Sequence, residues 1–116
     1  FLAAGAPCAS APGAGSKGFP ALSMYSATKA AIRSLARTWT TDLKSQGIRV
    51  NVVSPGIIAS EMTREVFDEQ AIASMVPMQR AGQPQEVADL VAFLASPKAA
   101  YISGQTLAIN GGMFAA

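Results

Sequence analysis

A tyrosine and a lysine four residues apart, Tyr25 and Lys29, are the residue types in this chain best suited to acid–base chemistry. In a helix, side chains four positions apart lie on one face, so the ammonium of Lys29 comes within reach of the phenol of Tyr25. A free tyrosine has a pKa of about 10, and a neighbouring cation lowers that pKa because it favours the phenolate. Such a pair can pass a proton to or from an alcohol or carbonyl oxygen.

The same spacing is common by chance, so the pair can equally be a solvated pair of neighbours on an amphipathic helix. A second alternative uses the basic residues Lys29, Arg33, Arg37 and Lys44 as the polar face of a membrane-targeting helix. Asp42 interrupts that run and the net charge is only +2. A solvated face therefore explains these charges better than a membrane surface does.

The composition restricts the chemistry further. The chain has 116 residues, which is the size of one domain, and it contains no histidine and one cysteine, Cys8. These counts exclude a structural zinc site, a Ser-His-Asp triad and a Cys-His pair, and they predict no metal site. Acid–base chemistry must therefore use tyrosine, lysine or carboxylates.

Charge and hydropathy indicate which partners to expect. Half of the residues are hydrophobic and 14% are charged, with no cluster of Lys and Arg, so nucleic acid is not an expected partner. No apolar run is long enough to cross a bilayer, so we expect no membrane association. A single cysteine, which cannot form an internal disulfide, fits a reducing cytoplasm.

The first half of the chain divides into an irregular part and a helix–strand unit. Residues 1–16 are rich in Ala, Gly and Pro and show neither the alternation of a strand nor the stripe of a helix. A helix is predicted from about Ser23, where Ser23 or Ser26 can cap it, to about Gly47. Its apolar positions are Ile32, Leu35, Ala36, Trp39 and Leu43. A buried strand is predicted over 48–53, closed by Pro-Gly.

The second half predicts two helices and a strand. Residues 60–76 indicate one polar helix, and a helix beginning at Pro84 carries Val87, Leu90, Val91 and Leu94 on one face. Residues 106–109 predict a short strand before Gly111 and Gly112, which we expect to be turn residues. Helices alternating with strands favour an α/β fold with a parallel sheet.

Four segments together resemble one known family. "YSATKAAIRSLARTWTTDL", "GIRVNVVSPG", "RAGQPQEVADLVAFLAS" and "YISGQTLAINGG" occur in the order found in the C-terminal half of short-chain dehydrogenases/reductases. The resemblance implies the C-terminal portion of a Rossmann-type, doubly wound parallel sheet, truncated so that the N-terminal nucleotide-binding half is missing. It also implies a domain division into an irregular segment, 1–16, and a family segment, 17–116.

The same resemblance implies an activity and a cofactor. Tyr25 matches the catalytic tyrosine, which exchanges a proton with a small-molecule alcohol or ketone while hydride moves to or from NAD or NADP. Lys29 matches the lysine that activates this tyrosine and holds the nicotinamide ribose. Family members are usually homo-oligomers, and the helix that contains Trp39 packs against its counterpart in a neighbouring subunit.

A loop after the central strand is implied to bind the nicotinamide. Pro55 and Gly56 match the bend that lies against the ring, although Pro-Gly can equally just end a strand. Ile58 matches a residue whose backbone amide meets the carboxamide. Ser60 matches a hydroxyl that does the same, and it is also a candidate helix cap.

Two departures from the family pattern lead to a second hypothesis. The position of the family's catalytic serine is occupied by Pro12, with Ser10 as the nearest substitute, and a proline has no hydroxyl to bind a carbonyl oxygen. The Gly-rich turn that holds the pyrophosphate has no match in the chain. The alternative is therefore a catalytically inactive, truncated remnant that keeps a helix-mediated dimerisation surface. Because the sequence predicts only two strands, we also expect a marginal sheet, an exposed edge on strand 48–53 and poor stability.

Overall fold

The fold is a parallel sheet with helices on both faces, seen in a computed structural model that describes residues 2–4 and 23–113. Within this part of the chain the sheet has three strands in the order β1–β2–β3. They are β1, Leu2–Ala4, β2, Asn51–Pro55, and β3, Thr106–Ile109. Both pairings are parallel. The predicted α/β class and Rossmann-type, doubly wound arrangement are confirmed.

Alternation along the central strand explains why helices cover both faces. Val50 and Val52 pack against helix α1, Ser23–Asp42, whereas Val53 packs on the other face against helix α4, Pro84–Ala95. Successive side chains of a strand point to opposite faces, so one β-branched segment supports two layers. The fully buried Val50 and Val53 anchor the two layers.

Helix α1 follows the predicted stripe closely. Ile32, Trp39 and Leu43 pack around the buried Ala36, Val50 and Val52, which makes Trp39 a core residue. Leu35 is an exception, since it is 46% exposed. A short 3-10 helix, Lys44–Gln46, continues the chain to Gly47, which ends it in the left-handed conformation at φ 66°. The side chains of Ser23 and Ser26, the two proposed caps, lie outside the described residues.

The prediction that residues 1–16 contain no strand is wrong. Leu2–Ala4 forms β1 and pairs with Asn51–Val53 of β2. The central strand therefore has neighbours on both sides, and the expected two-stranded sheet with an exposed edge at 48–53 is also wrong. The division between residues 16 and 17, like Cys8, Ser10 and Pro12, lies outside the described residues, and that division stays a prediction.

The single helix predicted over 60–76 is instead two short helices, α2, Glu61–Val66, and α3, Glu69–Met75. Asp68 breaks the run because its Oδ1 accepts a hydrogen bond from the backbone N–H of Ala71, at 2.7 Å, and so caps α3. Phe67 turns inward and packs with Ile57, Ile72 and Val76. Local capping and tertiary packing together override the helical pattern.

The remaining elements match their predictions. Helix α4 begins at Pro84 and packs its apolar face around Leu94, and β3 covers the predicted residues 106–109. A 3-10 helix, Pro97–Ala99, joins them. Gly111 and Gly112 have φ of 62° and 87°, which confirms turn positions. None of the helices in the described ranges has both the length and the apolar character needed to span a membrane.

Candidate functional site

The candidate site lies at the carboxyl edge of the sheet, where β2 and β3 end side by side. Pro55 pairs with Ile109 as the last residues of the two strands, and the N–H of Gly56 donates to the carbonyl of Ile109 at 2.9 Å. In open α/β sheets, ligands bind in the crevice outside the carboxyl ends of the strands. Pro55 and Gly56 thus lie where β2 ends, which confirms that Pro-Gly ends a strand, and both are at the carboxyl edge of the sheet.

Gly56 lets the chain pass unusually close to the end of β3. A Cβ atom at Gly56 would lie 2.7 Å from the Cβ and 2.8 Å from the Cα of Asn110. Any side chain at this position would force the two loops apart, so glycine is required by close approach. The loop formed by residues 56–60, called the 56–60 loop below, is therefore fixed at its start.

Ile58 is held by its neighbours on two sides. It forms a parallel bridge with Gly82, in which Gly82 donates to Ile57 O at 2.9 Å and accepts from Ala59 N at 2.8 Å. In such a bridge the N–H and C=O of the central residue point away from the partner. Its C=O accepts from the hydroxyl of Thr63 at 2.7 Å. Among the described residues, no acceptor meets the Ile58 N–H.

Ser60 caps α2, and among the described residues its hydroxyl oxygen keeps one unused acceptor position. Its Oγ accepts from the N–H of Thr63 at 3.1 Å and lies 2.9 Å from the Thr63 hydroxyl. Thr63 has one hydroxyl proton, which it gives to Ile58 O, so Ser60 must be the donor in the hydroxyl pair. Ser60 thus has no proton to give and one lone pair left to accept with. The capping interpretation of Ser60 is confirmed, and it is compatible with ligand contact.

Tyr25 and Lys29 lie in the N-terminal half of α1, one turn apart. Since β1 and β2 are parallel neighbours, the helix between them runs back against the strand direction. Lys29 precedes Ala36 by seven residues, about 10 Å of helix, and Pro55 follows Val52 by three residues, about 10 Å of strand. Since Ala36 packs in one cluster with Val50 and Val52, Lys29 lies towards the same end of the sheet as Pro55. Lys29 is half-buried and makes an interaction within the protein, while the side chain of Tyr25 lies outside the described residues.

An ion pair beside the site was missed by the sequence interpretation. Arg80 donates through both terminal nitrogens to the two carboxylate oxygens of Glu86, at 2.9 and 2.7 Å. Hydrogen bonds from Arg80, and then from the Gln83 N–H, lower the pKa of Glu86 to about 2. The sequence does contain one indication of this ion pair. Glu86 stands two residues after Pro84, at the capping-box position of a helix that begins with proline.

The arrangement offers one hydrogen-bond donor and one acceptor close together in the chain, the Ile58 N–H and the Ser60 Oγ. A primary carboxamide presents the complementary groups, a carbonyl oxygen and an N–H. The donor set therefore fits the carboxamide of a nicotinamide. Among the described residues, no three His, Cys, Asp or Glu side chains are grouped so that they could hold a metal ion.

Comparison with known proteins gives a consistent result. A family model described as enoyl-(acyl carrier protein) reductase matches residues 8–114. A 3-oxoacyl-[acyl-carrier-protein] reductase of Vibrio cholerae is 47% identical over 92 residues, which are 78% of this chain and 38% of that protein. The structure of 3-oxoacyl-[acyl-carrier protein] reductase from Brucella melitensis is 32% identical, with a TM-score of 0.84, over 99% of this chain and 42% of that one. A 4-hydroxyisoleucine dehydrogenase complexed with NADH is 29% identical, with a TM-score of 0.82, over 99% and 46%. The chain spans less than half the length of each of these proteins.

Proposed function

Because this chain belongs to the short-chain dehydrogenase/reductase family, we propose that it is the C-terminal part of an NAD- or NADP-dependent oxidoreductase that interconverts an alcohol and a carbonyl. The similarity to reductases and to a dehydrogenase bound to NADH supports this reaction class. The observation that supports the proposal is that Tyr25 and Lys29 lie one turn apart in the N-terminal half of α1, a helix packed on the central strand.

In the proposed mechanism Tyr25 is the general acid and base. Its phenol gives a proton to the substrate oxygen during carbonyl reduction and takes it back during alcohol oxidation. The Lys29 ammonium favours the phenolate and donates hydrogen bonds to the ribose hydroxyls. The nicotinamide, when bound, supplies or accepts the hydride.

The 56–60 loop orients the nicotinamide in this proposal. The Ile58 N–H donates to the carboxamide oxygen, and the Ser60 Oγ accepts from the carboxamide nitrogen. The Ile58 carbonyl and the Ser60 proton are already bonded to Thr63, which supports this assignment of donor and acceptor. Pro55 and Gly56 bring the loop to the edge of the sheet, where the ring would lie against them.

The substrate in this proposal is a small alcohol or ketone, bound beside the segment 61–80 that follows the loop. The full-length protein would act as a homo-oligomer. The apolar side chains that α1 leaves exposed, Met24 at 77% and Leu35 at 46%, are compatible with a subunit contact.

A titration of the chain with NADH and NADPH, followed by nicotinamide fluorescence, tests the proposal. We expect saturable binding in the micromolar range, weakened about tenfold by Lys29→Ala, because the hydrogen bonds of a charged ammonium to the ribose are lost. The matched control is Lys98→Ala, which removes an exposed lysine of the Pro97–Ala99 turn and should leave the affinity unchanged.

The second candidate function is a catalytically inactive remnant, and Pro12 in place of the family's catalytic serine favours it. A remnant has no need to bind a dinucleotide. Absence of NADH and NADPH binding, together with dimerisation of the chain that Leu35→Glu abolishes, would support the remnant.

A further inference from the structure

We propose that Arg80 and Glu86 are positioning residues that hold the 56–60 loop, through Gly82, so that the Ile58 N–H keeps a fixed direction. The role of this direction, which is to let the Ile58 N–H meet the cofactor, rests on the proposed function. The tether itself depends only on contacts between described residues.

The first contact is a two-pronged ion pair. The Arg80 guanidinium is planar and carries parallel N–H groups, which match the two oxygens of the Glu86 carboxylate. The same guanidinium also donates to the carbonyl of Ala81 at 3.1 Å. Arg80 therefore fixes the backbone that directly precedes Gly82.

The second contact fixes the backbone on the other side of Gly82. Glu86 Oε2 accepts from the N–H of Gln83 at 2.7 Å, so one carboxylate binds both Arg80 and the residue after Gly82. Glu86 belongs to the first turn of α4, a twelve-residue helix packed on the sheet. The segment 80–83 is thus attached at both ends to a rigid element.

The third contact passes this constraint to the 56–60 loop. Gly82 donates to Ile57 and accepts from Ala59, so the two peptide groups that flank Ile58 are bonded to the held segment. The approach is close, since a Cβ atom at Gly82 would lie 2.8 Å from Ile58 Cδ1. On the far side, Thr63 holds the Ile58 carbonyl. These bonds leave the Ile58 N–H pointing outward from a loop restrained on two sides.

Amide hydrogen exchange of the ligand-free 116-residue chain, measured by NMR, tests the tether. In Glu86→Gln the side-chain oxygen can still accept from Gln83 N–H, but the two-pronged charge pair is lost. We expect the exchange rates of Ala59 and Gly82 to rise about fivefold, the scale of a partly exposed ion pair. Arg80→Gln should give the same change, and the matched control Asp89→Asn, on the same helix, should give none. The amide of Val52, which donates to Gln105 O, and the amide of Gly104, which donates to Val50 O, report the global fold.

Each outcome of the exchange measurement decides whether Arg80 and Glu86 hold the 56–60 loop. A rise confined to Ala59 and Gly82 in both variants supports it, whereas no change, or an equal rise at Val52 and Gly104, overturns it. A second measurement with NADH separates the tether from the proposed function. Protection of the Ile58 amide by NADH, reduced in Glu86→Gln, supports both. If NADH does not protect Ile58 in the unsubstituted chain, the proposed function fails, while the ligand-free comparison still decides the tether.

Discussion

At the scale of single residues, one hydroxyl determines the polarity of the candidate site. Thr63 is 6% exposed, and its proton goes to the Ile58 carbonyl. That bond forces Ser60 to donate to Thr63, which leaves Ser60 as an acceptor and the Ile58 N–H as a donor. We therefore expect the pair to discriminate a primary amide from a ketone, because only the amide has an N–H to give.

This polarity leads to a prediction for Ser60→Ala. We expect NADH to bind about fivefold more weakly, the effect of losing one hydrogen bond. Binding of the 3-acetylpyridine analogue, which has a methyl group in place of the amide nitrogen, should change less. The ratio of the two dissociation constants, from parallel fluorescence titrations, removes any loss that comes from the α2 cap. An equal loss for both ligands would show that Ser60 is a cap only.

The Arg80–Glu86 pair leads to a prediction about pH. The folded-state pKa of Glu86, about 2, lies below its usual value of 4.5, so the pair stabilises the fold fully above about pH 4.5. That contribution declines as the pH falls from 4.5 to 2. A carboxyl ¹³C titration should place the midpoint for Glu86 near pH 2, and Arg80→Gln should raise it towards 4.5. A midpoint for Glu86 that Arg80→Gln does not move would contradict the pair.

At the scale of elements, the sequence predicts the helices and strands whose own residues determine their structure. Helix α1 has an apolar stripe and Gly47, α4 has Pro84 and four apolar residues on one face, and β3 has a β-branched pair before two glycines. In these elements the local preference and the packed face agree, so periodicity alone finds them. The boundaries of β2 shifted from 48–53 to 51–55 because pairing with β3, not the run of β-branched residues, decides where a strand ends.

The missed elements are those that depend on contacts distant in sequence. Leu2–Ala4 carries little β propensity, and it becomes a strand because β2 offers a parallel edge about fifty residues later. The break between α2 and α3 depends in part on Phe67, which packs in one cluster with Ile57 and Ala81 from two other segments. No helical pattern predicts that contact.

This interpretation of the break leads to a prediction for Asp68→Ala. Removal of the cap from α3 should lower the free energy of unfolding by about 1 kcal/mol, as for other N-cap replacements. Urea unfolding followed by circular dichroism measures this change. The control is Glu65→Ala, at an exposed position of α2 that has no capping bond in the described structure. An Asp68→Ala chain as stable as the control would show that packing alone separates the two helices.

At the scale of the whole molecule, the site can be predicted only in part. The resemblance to a family proposes Tyr25, Lys29 and the loop from Pro55 to Ser60 as candidate site residues, because these are short motifs at fixed spacing. It does not find the supporting contacts of Thr63, Arg80 and Glu86, since these depend on how three separate segments meet. The sequence's expectation of poor stability stays a prediction, although β2 has a partner on each side.

The chain covers 38% to 46% of the length of the similar proteins described above. The resemblance to the family implies that a nucleotide-binding half completes the proposed site. A chimera that joins residues 17–116 to the intact nucleotide-binding half of a family member supplies it. Such a chimera turns the proposed roles of Tyr25 and Lys29 into measurable rates.

The most direct test of the central claim is kcat/KM of this chimera for reduction of a ketone, compared before and after Tyr25→Phe. We expect a loss of at least about 100-fold, the usual contribution of a general acid, because phenylalanine has no proton to give. Tyr101→Phe, which removes the hydroxyl of a fully exposed tyrosine, should leave the rate unchanged. Full activity of the Tyr25→Phe chimera would contradict the proposal that this tyrosine transfers the proton.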